Sequence, residues 1–185
     1  MTLVQSKTTT WQIDPAHSQL EFAVRHLMIS TVRGRFSDVA GTLTVPDDDF
    51  SQAQLDASIG VASIDTREAQ RDGHLKSADF FDVEQYPTMT FKSRRIERSP
   101  RDENKYTVVG DLTLHGVTRE IVLDATLEGQ TKDPWGNSRV GFSATGKLNR
   151  KDFGLAWNQL LETGGVAVGD EVKIAIDVEV VAKPD

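Results

Sequence analysis

The sequence contains no cysteine, which excludes disulfides, thiolate metal sites and cysteine nucleophiles. It has no apolar run near the ~20 residues that a membrane-spanning helix needs, and residues 1–10 (MTLVQSKTTT) lack the features of a secretion signal. Basic residues number 21 against 28 acidic ones, for a net charge of −7. We therefore expect a cytoplasmic protein that has no transmembrane segment and binds no nucleic acid.

Common catalytic and metal-binding motifs are also absent. The chain has no HExxH pair, no GxSxG elbow and no GxGxxG loop. Its four histidines, His17, His26, His74 and His115, are too widely spaced to predict a metal site. The sequence therefore predicts no catalytic residue, no metal and no cofactor.

Alternation of apolar and polar residues with a period of two runs through most of the chain. Near the end, Val172, Ile174 and Ile176 alternate with charged or small residues, which is typical of a strand with one buried face. About eight such stretches are separated by turn residues: 20–25, 33–45, 55–62, 87–97, 105–114, 118–128, 138–149 and 171–180. Sequential strands at this spacing indicate an all-β antiparallel barrel or sandwich.

One stretch departs from the alternation. Asp65 followed by Glu68 predicts a capped helix that continues to about Ser77. No repeat or linker divides the chain, so we predict a flexible segment at residues 1–9 and a single domain at 10–183.

Small residues recur on the predicted inward rows of five strands, and they are Gly41, Ala57, Gly110, Ala125, Ala144 and Gly146. They fit a hollow barrel and a filled, tapered one equally well. A hollow barrel with strands of this length would be roughly 25 Å tall and would suit a long, thin apolar molecule.

Several sequence blocks resemble one known family. They are residues 14–18 (DPAHS), 34–36 (GRF), 63–66 (SIDT), 71–77 (RDGHLKS), 79–82 (DFFD), 110–118 (GDLTLHGVT), 149–154 (NRKDFG) and 168–170 (VGD). With these blocks the chain resembles the YceI-like family from residue 11 to residue 181. The resemblance implies an eight-stranded antiparallel lipocalin-like barrel with one helix between strands and an elongated apolar cavity for an isoprenoid chain.

The leading hypothesis is binding, sequestration or transport of a long-chain polyisoprenoid lipid, of the isoprenoid quinone or polyprenyl phosphate type. The predicted contacts of its tail are Phe22, Val24, Phe36, Ile59, Phe91, Leu112, Leu114, Phe142, Phe153 and Trp157. The predicted contacts of its head group are His17, His26, Asp72, His74, His115 and Arg150, with Arg150 the best candidate for a phosphate.

Two alternatives remain open on the sequence. One is an enzyme acting on a lipophilic substrate through a histidine with Asp72, or through a histidine-bound metal. The other is a filled barrel that serves as an interaction module. Many relatives of this family pair as homodimers, so a homodimer is an open expectation, as is transient contact with a membrane.

Overall fold

The structure, a computed structural model, describes residues 5–184. Within them it contains one α-helix, α1 (Ala69–Lys76), four short 3-10 helices and eleven strands. The strands are β1 (Thr8–Ile13), β2 (Gln19–His26), β3 (Ser30–Phe36), β4 (Val39–Pro46), β5 (Gln54–Gly60), β6 (Ile64–Asp65), β7 (Thr88–Arg98), β8 (Lys105–Leu114), β9 (Val117–Lys132), β10 (Ser138–Asn149) and β11 (Val168–Ala182).

The sheet closes on itself because β1 pairs with β4 on one side and with β11 on the other. Three of the positions around this barrel are each shared by two consecutive strands. β1 and β2 lie along β11, β3 and β4 form the next position, and β5 and β6 the one after that. β7 to β11 complete the ring in sequence order, so the eight-stranded antiparallel barrel is confirmed.

The single strand predicted at 33–45 is in fact two strands, separated at Ser37 and Asp38. Asp38 fixes this interruption, since its N–H donates to Ser63 Oγ at 3.1 Å and its carbonyl accepts from the Gly60 N–H at 2.8 Å. Gly60 ends β5, and Ser63 lies in the equivalent break between β5 and β6. Hydrogen bonds therefore connect the interruptions of two neighbouring positions of the barrel.

The helix begins later than the sequence predicts. Glu68, not Asp65, caps α1, and its carboxylate accepts from the backbone N–H groups of Gln70 and Arg71 at 3.2 and 2.6 Å. Asp65 instead belongs to β6, where it pairs with Arg35 of β3. Pairing in the sheet therefore delays the start of the helix, while its end before Ser77 agrees with the prediction.

The first strand begins within the segment that the sequence predicts as flexible. β1 begins at Thr8, so two residues of the segment predicted as flexible are paired with β4, and residues 1–4 lie outside the described residues. In the part of the chain that the structure describes, no helix is both long and apolar enough to cross a membrane.

Candidate functional site

The interior of the barrel encloses a cavity of about 660 Å³. On β11 its lining extends from Val168 to Val180, a distance of roughly 40 Å along the strand and about 30 Å along a tilted barrel axis. The inward row of this strand is Val172, Ile174, Ile176 and Val178, while the residues between them face outward. The alternation in the sequence thus forms one side of an elongated apolar lumen.

The small residues on the inward rows divide into two groups. Ala57, Ala125 and Ala144 line the cavity, and Ala125 and Ala144 lie opposite each other on β9 and β10. At three glycines the inward space is filled by a neighbouring side chain, and these pairs are Gly41 with Ile13, Gly110 with Phe91 and Gly146 with Leu123. The barrel is therefore hollow at its alanines and packed at these glycines.

Most of the predicted apolar contacts line the cavity. Those that do so are Phe22, Val24, Phe36, Ile59, Phe91, Leu112, Leu114, Phe142 and Trp157. Phe153 differs, because it is 1% exposed and lies outside the lining. Its carbonyl accepts a hydrogen bond from His115, which places both residues in the packing behind the cavity wall.

The predicted polar residues are not all brought together. His26, His74 and Arg150 line the cavity, at the end where β2 ends and β11 begins. His115 contacts the ring of Tyr86 and the Phe153 carbonyl. Asp72 accepts from both the backbone N–H and the hydroxyl of Thr66, at 2.9 and 2.5 Å, so it orders the chain before α1.

His17 lies near the other end of the barrel. Its Nδ1 is 2.9 Å from Asp14 Oδ2, and Arg139 donates to that carboxylate and to Glu179 at 2.8 Å each. Asp14, His17 and Glu179 have the spacing of a cation site, but the guanidinium of Arg139 already occupies the space between the two carboxylates as their counter-charge. Hydrogen bonds from Arg139 and His17 lower the pKa of the Asp14 carboxyl to about 2.

Arg150 has a structural role that the sequence did not reveal. It is 3% exposed, and its guanidinium donates to the carbonyls of Gly169, Leu155 and Trp157 at 2.8, 2.6 and 2.8 Å. A longer bond of 3.3 Å reaches the Val168 carbonyl. These contacts use most of its five N–H groups, which argues against Arg150 as the phosphate-binding group. Burial lowers its pKa, and the nearby Asp170 partly offsets that effect.

His74 is the centre of a polar and aromatic cluster at the mouth of the cavity. Its Nε2 lies 2.8 Å from Asp79 Oδ2, and its ring packs edge-on against Phe80 and Trp157 with centroids 5.0 and 4.8 Å away. The histidine–aspartate pair of this site is therefore formed with Asp79, and the pair with Asp72 that the enzyme alternative invoked is not formed.

Arg71 is the main polar residue that our sequence reasoning missed. It lines the cavity together with His74 and Leu75, three and four residues further along α1. Helical spacing puts these three residues on one face and turns Asp72 away from it, so this spacing was the available signal. Two N–H groups of Arg71 donate to Thr66 at 2.8 Å each, which leaves three that make no hydrogen bond with the described residues.

A closed antiparallel barrel with an apolar lumen and a helix at one mouth is a lipocalin-like, ligand-binding type of architecture. Residues 11–180 match the YceI-like domain. The chain belongs to the YceI-like family.

The curated relatives include the UPF0312 protein of Staphylococcus aureus (strain N315), which is 41% identical over 172 residues, 92% of this chain and 96% of that protein. Among solved structures, the Campylobacter jejuni YCEI protein is 35% identical with a TM-score of 0.71, covering 86% of this chain and 90% of its own. A polyisoprenoid binding domain from Saccharophagus degradans, implicated in plant cell wall breakdown, is 15% identical with a TM-score of 0.68, covering 94% and 98%. This last likeness is one of fold.

Proposed function

We propose that this protein binds a long-chain polyisoprenoid lipid, of the isoprenoid quinone or polyprenyl phosphate type, inside the barrel, and so sequesters or transports it. The observation that carries the proposal is the apolar cavity of about 660 Å³ that follows the length of the barrel. The family and the polyisoprenoid binding domain that shares its fold support the same ligand class.

The size of the cavity favours a ligand over an ordinary core. Protein interiors are close-packed, with few voids larger than a water molecule. A cavity of about 660 Å³ is far larger than such a void, and it falls within the usual range of ligand pockets. Each buried methylene contributes about 0.8 kcal/mol, so each five-carbon isoprene unit would add roughly 4 kcal/mol before the cost of ordering the chain.

The mouth would hold the head group. Arg71 and His74 lie on the same face of α1 at the cavity, and Arg71 retains N–H groups for a ligand oxygen. Both a quinone carbonyl and a phosphate are acceptors for such donors, and the phosphate would gain more from the charge. We therefore assign the polar contact to Arg71 and His74.

Extraction of natively purified protein with organic solvent, followed by mass spectrometry, tests the proposal directly. We expect a polyprenyl compound at near one-to-one stoichiometry that is absent from an unrelated protein purified in the same way. A clean extract from folded protein, combined with failure to take up added polyprenol, would reject the proposal.

A pair of variants localises the binding. Ala144→Phe places a large side chain in the lumen, whereas Thr145→Phe places the same side chain on the exposed face of the same strand. We expect Ala144→Phe to reduce the extracted lipid at least tenfold and Thr145→Phe to retain it. Equal lipid content in the two variants would show that the lumen is not the site.

A further inference from the structure

Exposed apolar side chains are concentrated beside the mouth of the cavity. Met28, Ile29 and Leu160, which we call the rim patch, are 52%, 77% and 82% exposed. They adjoin Leu27 and Leu161, which line the cavity. The apolar surface is therefore continuous in sequence from the lumen to the outside at these two points.

The two loops that carry the rim patch are tied together. The Leu27 N–H donates to the Ala167 carbonyl at 2.8 Å, and the Ala167 N–H donates to the Gln159 carbonyl at 3.0 Å. Leu160 forms an isolated bridge with Val166 in the same small hairpin. The patch is thus one surface built from two connected loops.

The turn between β2 and β3 holds its apolar residues in an unfavourable conformation. Leu27 and Met28 have φ values of 51° and 59°, and the Ile29 N–H donates to the His26 carbonyl at 3.1 Å. Leu27 and Met28 are the two central residues of a β-turn, and a β-turn with both central φ values positive is dominated by Asn, Asp and Gly. Because an Asn-Gly turn would fold with less strain, the apolar side chains here point to a role outside folding.

Arginines lie on both strands beside the same turn. Residues 25–35 contain three arginines and no acidic residue, in a chain of net charge −7. Arg25 donates to Thr31 Oγ1 and to the Met28 carbonyl, and Arg33 is exposed with no carboxylate partner among the described residues. Glu162 is the one acidic residue in the facing segment, residues 155–169. Apolar side chains among basic ones are the combination that binds an anionic lipid surface.

Other occupants fit this surface less well. A symmetric pair of chains would bring the same basic turn of each copy together. A stable protein interface buries about 800 Å² on each partner, which three side chains do not supply. The charge and the small area both favour a bilayer.

We infer that the rim patch docks the mouth of the barrel on an anionic bilayer surface. Met28, Ile29 and Leu160 enter the boundary between head groups and acyl chains, while Arg25 and Arg33 contact the anionic head groups. The inference rests on the proposed function in one respect, since the bilayer is then the source or acceptor of the lipid in the cavity.

Sedimentation with vesicles tests the docking. We expect the protein to bind vesicles made of equal parts phosphatidylcholine and phosphatidylglycerol, and to bind phosphatidylcholine alone at least tenfold more weakly. Binding should weaken as salt is raised, because screening acts on the arginine contacts. Equal binding to both vesicles, or binding to neither, would overturn the inference.

Substitutions test which side chains contact the vesicle. Met28→Gly with Ile29→Thr should reduce vesicle binding at least tenfold while relaxing the turn, so loss of folding is not the expected cause. Arg33→Gln should reduce it about fivefold. Trp135→Ser is the matched control, because Trp135 is 81% exposed in the β9–β10 turn at the opposite end of the barrel. Loss of binding in Trp135→Ser but not in the rim variant would overturn the inference.

Two further measurements separate the possible failures. Light scattering after gel filtration would show whether the wild type is a dimer and the Met28→Gly, Ile29→Thr variant a monomer. If so, and if the wild type bound no vesicles, the rim patch would be an interface with a second copy of the chain and not a contact with a bilayer. Lipid content by mass spectrometry is measured on the same preparations. If the protein yields polyprenyl lipid but does not bind vesicles, the docking inference is rejected and the proposed function is not. If Ala144→Phe still binds vesicles, the docking is supported independently of cavity occupancy.

Discussion

Arg150 is buried at the point where the segment after β10 crosses the mouth of the barrel. Its side chain donates to the carbonyls of Leu155 and Trp157 in that segment and to the carbonyl of Gly169 in β11. A residue that sequence reasoning assigned to a ligand thus stabilises the frame around the ligand cavity. The charge itself gave no indication of this, because burial and carbonyl partners are properties of the folded chain.

Replacing Arg150 tests that role. Arg150→Met leaves three short hydrogen bonds unmade and their carbonyls unsatisfied, so we expect the free energy of unfolding to fall by about 3–5 kcal/mol. Urea denaturation measures the change. Arg94→Gln is the control, since Arg94 is exposed in surface ion pairs with Asp111 and Glu120 and should lose less than about 1 kcal/mol. A loss of similar size in both variants would contradict the assignment.

The Asp14–Arg139 contact predicts how stability depends on pH. The pKa of Asp14 is about 2 in the folded protein, below the value of about 3.9 for an unfolded chain. Its stabilising contribution is therefore complete above about pH 4 and is lost as the pH falls toward 2.

Arg139→Gln should remove most of that contribution. We expect the variant to be less stable than the wild type at neutral pH and the difference between them to shrink as the pH falls from 4 to 2. Thermal unfolding followed by circular dichroism across this range measures it. A difference that stays constant down to pH 2 would contradict the ion pair as its cause.

At the scale of strands, close approach between neighbours decides which glycines can change. A Cβ on Gly110 would lie 2.4 Å from Phe91 Cζ and 2.6 Å from the Lys92 carbonyl oxygen, and backbone cannot move aside cheaply. A Cβ on Gly129 of β9 would have no atom within 4 Å. Alternation places Gly110 on the inward row of its strand, but only the partner strand shows how little space a side chain would have there.

Gly110→Ala should therefore lower the free energy of unfolding by about 1–3 kcal/mol through overpacking. Gly129→Ala should change it by less than about 1 kcal/mol, and in the stabilising direction if the strand conformation suits alanine. Denaturant unfolding of both variants compares them. A Gly110→Ala protein as stable as the wild type would show that Phe91 can vacate that space.

At the scale of the whole molecule, cavity occupancy should govern stability. A ligand that binds the folded barrel and not the unfolded chain raises the free energy of unfolding by about 2.7 kcal/mol at a hundredfold excess over Kd. We expect protein stripped of lipid to melt at a lower temperature than protein reloaded with a polyprenol.

The lumen variants check that effect. In calorimetry, reloading with polyprenol should raise the melting temperature of Thr145→Phe as much as that of the wild type. The melting temperature of Ala144→Phe should rise little. An identical rise in melting temperature in the two variants would mean that the added lipid stabilises the protein from outside the barrel.

The sequence by itself determined the local pattern of this protein. Alternation in residues 171–180 predicted β11 and its inward row, and the blocks around residues 71–82 and 110–118 indicated the family. These features follow from short-range rules, because successive side chains on a strand point to opposite faces whatever the strand pairs with.

The tertiary structure alone decided which residues meet. Ala144 opens on the lumen, the space beside Gly110 is filled by Phe91, and Arg150 donates to backbone carbonyls of the chain itself. Each outcome depends on the register of strands far apart in the chain and on how far a neighbouring side chain reaches. Those quantities are set when the barrel closes, which is why a pattern read along one strand does not contain them.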